Sequence, residues 1–179
     1  MILRNGEYHI DDRFLKFDLT EDLDFSNRRN CYTLRGGNGY GKTSFIEKII
    51  IPALEIDKIN YLYLGQDIRT QLYTIRALMS VQGYKVYKAD ENKLLKWWID
   101  RSQSATVFIL DEFDKYFPDF GFIFDWCDAF IRTYVIVTHM DDSRIEPDKD
   151  KYGINWMKFE PVDTEGRMTR IRIQKEKLW

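Results

Sequence analysis

Gly36-Gly37-Asn38-Gly39-Tyr40-Gly41-Lys42-Thr43 is the stretch on which the reading of this chain turns. It satisfies the spacing G-x-x-x-x-G-K-S/T, and its flanks are the ones that the spacing needs. Residues 30–35 form a short β-prone run. Residues 42–51 place Phe45, Ile46, Ile49 and Ile50 at helical intervals, with Pro52 marking an end. Glycines permit backbone conformations closed to other residues, so the N–H groups from Asn38 to Thr43 can turn inward around an anion at a helix N-terminus. That chemistry predicts a nucleotide phosphate site. Gly36, Gly37, Gly39, Tyr40 and Gly41 would shape the cradle, Lys42 would reach the β- and γ-phosphates, Thr43 would ligate Mg²⁺, and Ser44 would support an α-phosphate oxygen. The competing reading is a structural turn with a solvated lysine.

The second half of such a site is expected at the end of a strand. Residues 106–110 are continuously apolar and run into Asp111-Glu112, as a central parallel strand does when its functional groups project at the carboxyl end. Adjacent carboxylates can divide the work. Asp111 would hold Mg²⁺, and Glu112 would orient and deprotonate a water attacking the γ-phosphate. Read without the glycine loop, the same pair would serve as a helix N-terminal cap.

Outward from these motifs, residues 14–19 predict an early strand and residues 59–64 a buried one. Helices are expected over 68–81 and 91–101. Residues 134–137 repeat the apolar strand pattern, and the aromatic-rich segment 122–131 predicts a covering helix with a right-handed crossover. Residues 155–159 and 168–173, joined through 163–166, predict a hairpin. The sum is an α/β fold of the P-loop NTPase kind. Its central sheet is mostly parallel and flanked by helices, with antiparallel N-terminal strands and a C-terminal hairpin. At 179 residues, the chain 1–179 is expected to be a single domain.

Composition narrows the class further. With 27 basic against 29 acidic residues, no overall field draws the chain to nucleic acid or anionic lipid, and the basic run through Lys85, Lys88, Lys93, Lys96 and Arg101 reads as a solvated face. Cys31 and Cys127 lie in apolar stretches without C-x-x-C spacing, which predicts buried reduced thiols. No apolar run reaches transmembrane length and the beginning is unlike a secretory signal. A cytoplasmic location is therefore expected. Trp97 and Trp98 are adjacent, so on a helix both cannot easily face one core, and the one that turns away reads equally as part of a partner surface or as an isolated exposed aromatic.

Several motifs together resemble the nucleotide-binding domain of the ABC ATPase superfamily. Gly37 to Ser44 is similar to that family's G-x-N-G-x-G-K-S/T-S/T loop. Tyr61-Leu62-Tyr63-Leu64-Gly65-Gln66-Asp67 resembles its glutamine loop, Leu110-Asp111-Glu112 its acidic motif, and Val135-Ile136-Val137-Thr138-His139 its switch histidine. The resemblance implies ATP and Mg²⁺ as ligands. It gives Gln66 a contact to the metal and the attacking water, and His139 a contact to the γ-phosphate. It also implies an upstream aromatic on the adenine, which spacing assigns to Phe14, with Tyr8 as second choice. Two departures stand out. The 23 residues between Lys42 and Gln66 leave no room for the family's antiparallel subdomain, and no L-S-G-G-Q signature occurs, Tyr87-Lys88-Ala89-Asp90-Glu91 standing near its place.

The function these readings predict is a soluble ATPase whose ATP state switches its contacts, either in a homodimer or with another protein. A non-hydrolysing nucleotide-binding regulator is the alternative, and the presence of Glu112 speaks against it. A small P-loop kinase is a third reading, with Arg69, Arg76 and Arg101 as its candidate phosphate arginines.

Overall fold

A computed structural model describes residues 1–26, 30–65, 67–86, 90–102, 104–112, 133–138 and 154–176. Among the described residues, ten strands run in chain order: β1 (Ile2–Leu3), β2 (Gly6–Ile10), β3 (Leu15–Leu19), β4 (Leu23–Asp24), β5 (Cys31–Arg35), β6 (Tyr61–Leu64), β7 (Val107–Leu110), β8 (Thr133–Thr138), β9 (Ile154–Glu165) and β10 (Met168–Lys175). Eight of them make one sheet in the order β2-β3-β10-β9-β5-β8-β7-β6, and β1 pairs separately with β4. From β9 to β6 every pairing is parallel. At the other side β3 is antiparallel to β2, β10 is parallel to β3, and β9 and β10 form the antiparallel hairpin. The α/β, mostly parallel architecture expected from the sequence is the one observed.

Alternation along β7 and β8 explains why both faces of this sheet are covered. Val107, Ile109, Val135 and Val137 pack with Phe45, Ile46, Ile50 and Leu54 on one face. Phe108, Leu110, Tyr134 and Ile136 pack on the other with Leu72, Ile75, Leu95 and Ile99. Strands buried on both sides read as unbroken apolar runs, which is what residues 107–110 show. Cys31 lies in this core, fully buried and unpaired, as expected. Cys127 and the segment 122–131 lie outside the described residues.

The helix after the glycine loop runs further than the sequence suggests. α1 (Lys42–Phe45) passes into a π-helical turn (Ile46–Ile50) and on into α2 (Ile51–Ile56), so Pro52 does not end it. A proline lacks the N–H that a continuing helix needs and clashes with the carbonyl four residues back. Here the wider π turn lets the Ile51 N–H reach Ile46 O, and Pro52 falls in the first turn of the restarted α-helix, where its missing donor costs nothing.

α3 (Ile68–Val81) and α4 (Glu91–Arg101) match the expected bounds. Asp67 and Asp90 cap them by accepting hydrogen bonds from Thr70 N and Lys93 N. Trp97 and Trp98, by contrast, both pack partly buried against one cluster. Trp97 does so at its margin, edge-on to Tyr84 and beneath the Arg101 guanidinium, so the rings spread along the cluster rather than pointing apart.

Two strand expectations are corrected. Residues 59–64 read as buried, but β6 is the edge of the sheet and Tyr61, Leu62 and Tyr63 are only half-buried. The hairpin strand continues through Pro161 to Glu165, and the turn is Gly166-Arg167. Pairing slips between Arg170↔Asp163 and Ile171↔Pro161, so Val162 is the extra residue of a bulge. A bulge is where a sheet accommodates a proline.

Candidate functional site

The glycine loop leaves β5 after Arg35 and is held between close backbones. A Cβ on Gly36 would stand 2.7 Å from Phe159 O, and one on Gly41 would stand 2.9 Å from Phe17 Cζ. Gly41 also has a φ of 74°, in the left-handed region, where it caps α1. Only glycine meets both demands. Lys42 is buried, and its Nζ donates to Gly36 O at 2.6 Å and Gly37 O at 2.9 Å. The ammonium is thereby tied inside the curl of the loop.

Asp111 continues the alternation of Val107 and Ile109, so its side chain belongs to the face that carries α1. There Thr43 Oγ1 donates to Asp111 Oδ2 at 2.7 Å, and the Glu112 N–H donates to Asp111 Oδ1 at 2.9 Å. Asp111 is fully buried. Burial pushes its carboxyl above the usual range. The two hydrogen bonds oppose that shift, and the charges of Glu112 and Glu47 add to it. A buried carboxylate joined to a hydroxyl, with surplus negative charge nearby, is a donor set suited to a hard divalent cation. Mg²⁺ therefore fits Thr43 and Asp111, where it would supply charge neutralisation.

Glu112 follows with φ 50°, one of three non-glycine residues with positive φ among those described. For a glutamate this backbone is strained by about 1–3 kcal/mol, and such strain tends to collect at functional sites. Loop and acidic pair face a cavity of about 550 Å³, lined by residues 38–44, by Asp111 and Glu112, and by Arg13, Leu15 and Val137. That volume lies within the range of small-molecule sites.

Of the remaining sequence candidates, Phe14 stands half exposed with φ 52°, between Arg13 and Leu15, both of which line the cavity. Tyr8 packs edge-on to Phe45 and donates its hydroxyl to Arg4 O, so it is committed to the core and its border. Gln66 and His139 lie outside the described residues. The strand that precedes His139 is placed, however: β8 lies between β5 and β7, so the chain leaves Thr138 between the loop strand and the acidic strand.

Sequence reading did not find Arg13 and Leu15, which carry no motif, and gave Val137 a place in a strand but not at the cavity. Nor did it find Glu47, although Glu47 stands four residues after Thr43, on the same helical face.

The buried charge makes a stability prediction. A carboxyl whose folded pKa is raised leaves its stability to the fold below the ordinary carboxylate pKa and loses it as pH rises through the raised one. Asp111→Asn should therefore raise the thermal midpoint of the metal-free protein near neutral pH. The gain should shrink as the pH falls and the wild-type side chain takes up a proton. Differential scanning across pH checks this, and an unchanged midpoint at neutral pH would count against a strained, charged Asp111.

No family model matches the chain, and no curated protein matches it. Among solved structures, a KaiC-like protein from the hyperthermophilic archaeon Pyrococcus horikoshii is similar at 13% identity and a TM-score of 0.49, over 84% of this chain and 80% of that one. A likeness at that level is silent on activity. Among the described residues, no helix is long and apolar enough to cross a membrane.

Proposed function

We propose that the chain binds ATP with Mg²⁺ and hydrolyses it, as an ABC-like ATPase acting as a nucleotide-driven switch. The observation that carries this is the 2.7 Å contact between Thr43 Oγ1 and Asp111 Oδ2, at a cavity walled by the glycine loop. Two segments 68 residues apart in sequence thus bring the two expected metal donors together.

In this reading the N–H groups of residues 38–44 and Lys42 hold the phosphates, and Thr43 and Asp111 hold the metal. Glu112 takes a proton from the attacking water. Phosphoryl transfer needs little covalent help, so positioning and neutralisation carry most of the rate. Gln66 and His139 would complete the site around the γ-phosphate, Phe14 would meet the adenine, and the single domain would work in the cytoplasm. The order β5-β8-β7, which sets the end of β8 at Thr138 between the loop strand and the acidic strand, supports the role given to His139. Binding at the γ-phosphate would draw Gln66 and His139 inward and hydrolysis would release them, which gives the switch. Its partner would be a second copy or another protein.

Calorimetry and thermal shift with ATP, with and without Mg²⁺, test the proposal. The wild-type midpoint should rise with MgATP, by an amount set by concentration over Kd. Lys42→Ala should abolish most of that rise. Absence of heat and of protection at millimolar MgATP would end the assignment.

A further inference from the structure

Gly37 is a glycine that its own backbone does not require. Gly36, Gly39 and Gly41 all have a positive φ that favours glycine, whereas the φ of Gly37 is open to any residue. What excludes a side chain there is Tyr40. A Cβ on Gly37 would stand 2.8 Å from Tyr40 Cζ, 3.0 Å from Cε2 and 3.2 Å from Cε1. These nearest atoms are neighbouring ring carbons and not the hydroxyl oxygen beyond them, so the face of the ring lies against Gly37. The same ring reaches Gly36, where a Cβ would meet Tyr40 Cδ2 at 3.2 Å.

The contact is anchored on both sides. Tyr40 is half-buried and packs on the cluster that holds Phe17, Phe45 and Phe159. Its N–H donates to Gly37 O at 3.3 Å, which closes the turn that carries the ring back over the start of the loop. The carbonyls of Gly36 and Gly37 are also the two that accept from Lys42 Nζ, at 2.6 Å and 2.9 Å. The ring therefore backs the residues that hold the ammonium. Gly37, Asn38 and Gly39 are themselves exposed, so this part of the loop has little packing of its own.

We propose that Tyr40 is a positioning residue whose ring clamps the Gly36–Gly37 limb of the loop and so holds Lys42 and the loop amides ready for the triphosphate. This rests on the MgATP reading above. Glycine loses more conformational freedom on ordering than any other residue. A ring that orders the limb in advance removes that cost from the binding step, which is how preorganisation raises affinity.

The test joins NMR of the nucleotide-free protein to calorimetry with MgATP, for wild type, Tyr40→Ala, Tyr40→Phe, Gly37→Ala and the variant carrying both alanines. In wild type, the Gly37 α-proton that faces the ring should resonate upfield of the ordinary glycine range, and in Tyr40→Ala it should return there. Tyr40→Ala should weaken ATP binding about tenfold, and Tyr40→Phe, which keeps the ring, should recover most of that loss. Gly37→Ala must displace the ring and should cost about as much; because Gly37 is exposed, this variant keeps the question open to measurement even where Tyr40→Ala folds poorly. Both changes undo one contact, so the double variant should bind no more weakly than the weaker single one, whereas independent sites would multiply to a loss of about a hundredfold. A wild-type Gly37 proton in the ordinary range places the ring elsewhere and overturns the clamp whatever the protein binds. Where wild type binds MgATP, multiplied losses, or Gly37→Ala binding as wild type does, overturn the clamp alone. Tyr40→Phe as weak as Tyr40→Ala also overturns it, since the hydroxyl and not the ring would then carry the effect. A shifted proton without any wild-type ATP binding overturns the site reading and, with it, the role of the clamp in binding.

Discussion

Glu112→Gln is expected to bind MgATP as wild type does and to turn it over about 10²- to 10⁴-fold more slowly, the usual contribution of a general base. Glutamine keeps the length of the side chain and can still hydrogen-bond a water, but it cannot take the proton. The local backbone should survive the change. The Glu112 N–H stays bonded to Asp111 Oδ1, and the φ of 50° belongs to the main chain and its neighbours rather than to the carboxylate. Removing a charge that presses on Asp111 should, if anything, ease the metal-free site. Phosphate release in steady state, with calorimetric affinity measured in parallel, decides the matter. Turnover equal to wild type would remove Glu112 as the base, whereas loss of affinity together with turnover would make it a binding residue.

How far the sequence could be read depended on whether the information was local. The glycine loop, the acidic strand end and the helical spacing of 68–81 and 91–101 are local chemistry, and their elements stand where the spacing puts them. Pro52 misled because a proline's disruption is local while its remedy, the π turn before it, depends on how Ile46 and Ile50 seat in the core. Pro161 hid the length of β9 in the same way, since a bulge shows only once the partner strand is known. The parallel pairing of β10 with β3 joins residues about 150 positions apart and has no signature in either segment. Within the site, Thr43 and Asp111 were legible from their motifs. Arg13 and Leu15 were not, because each owes its place to packing between elements distant in sequence.

That packing is most exposed to test at Phe45, where Phe45→Ala is expected to destabilise the fold by about 3–5 kcal/mol, as other buried Phe→Ala changes do. Phe45 is fully buried, with ring centroids 5.1 Å from Phe17, 5.7 Å from Phe159 and 6.4 Å from Tyr8, the latter two contacts edge-on. Such pairs add to burial, and the site cannot collapse easily when three of its neighbours are rigid rings on a sheet. Against a total stability of about 5–15 kcal/mol, the loss is a large share. It should also reach the site. The helix that begins with α1 has no side-chain cap, and Phe45 is the first apolar residue it buries, so it fixes the height of the helix start above the sheet. Thr43, two residues earlier, meets Asp111 only while that height is kept. Urea unfolding should show the lower stability, and thermal protection by MgATP should fall with it. Phe45→Leu, which refills most of the volume, should lose less of both. A Phe45→Ala loss within about 0.5 kcal/mol, the size seen for surface changes, would mean that the loop helix is held by something other than this aromatic cluster.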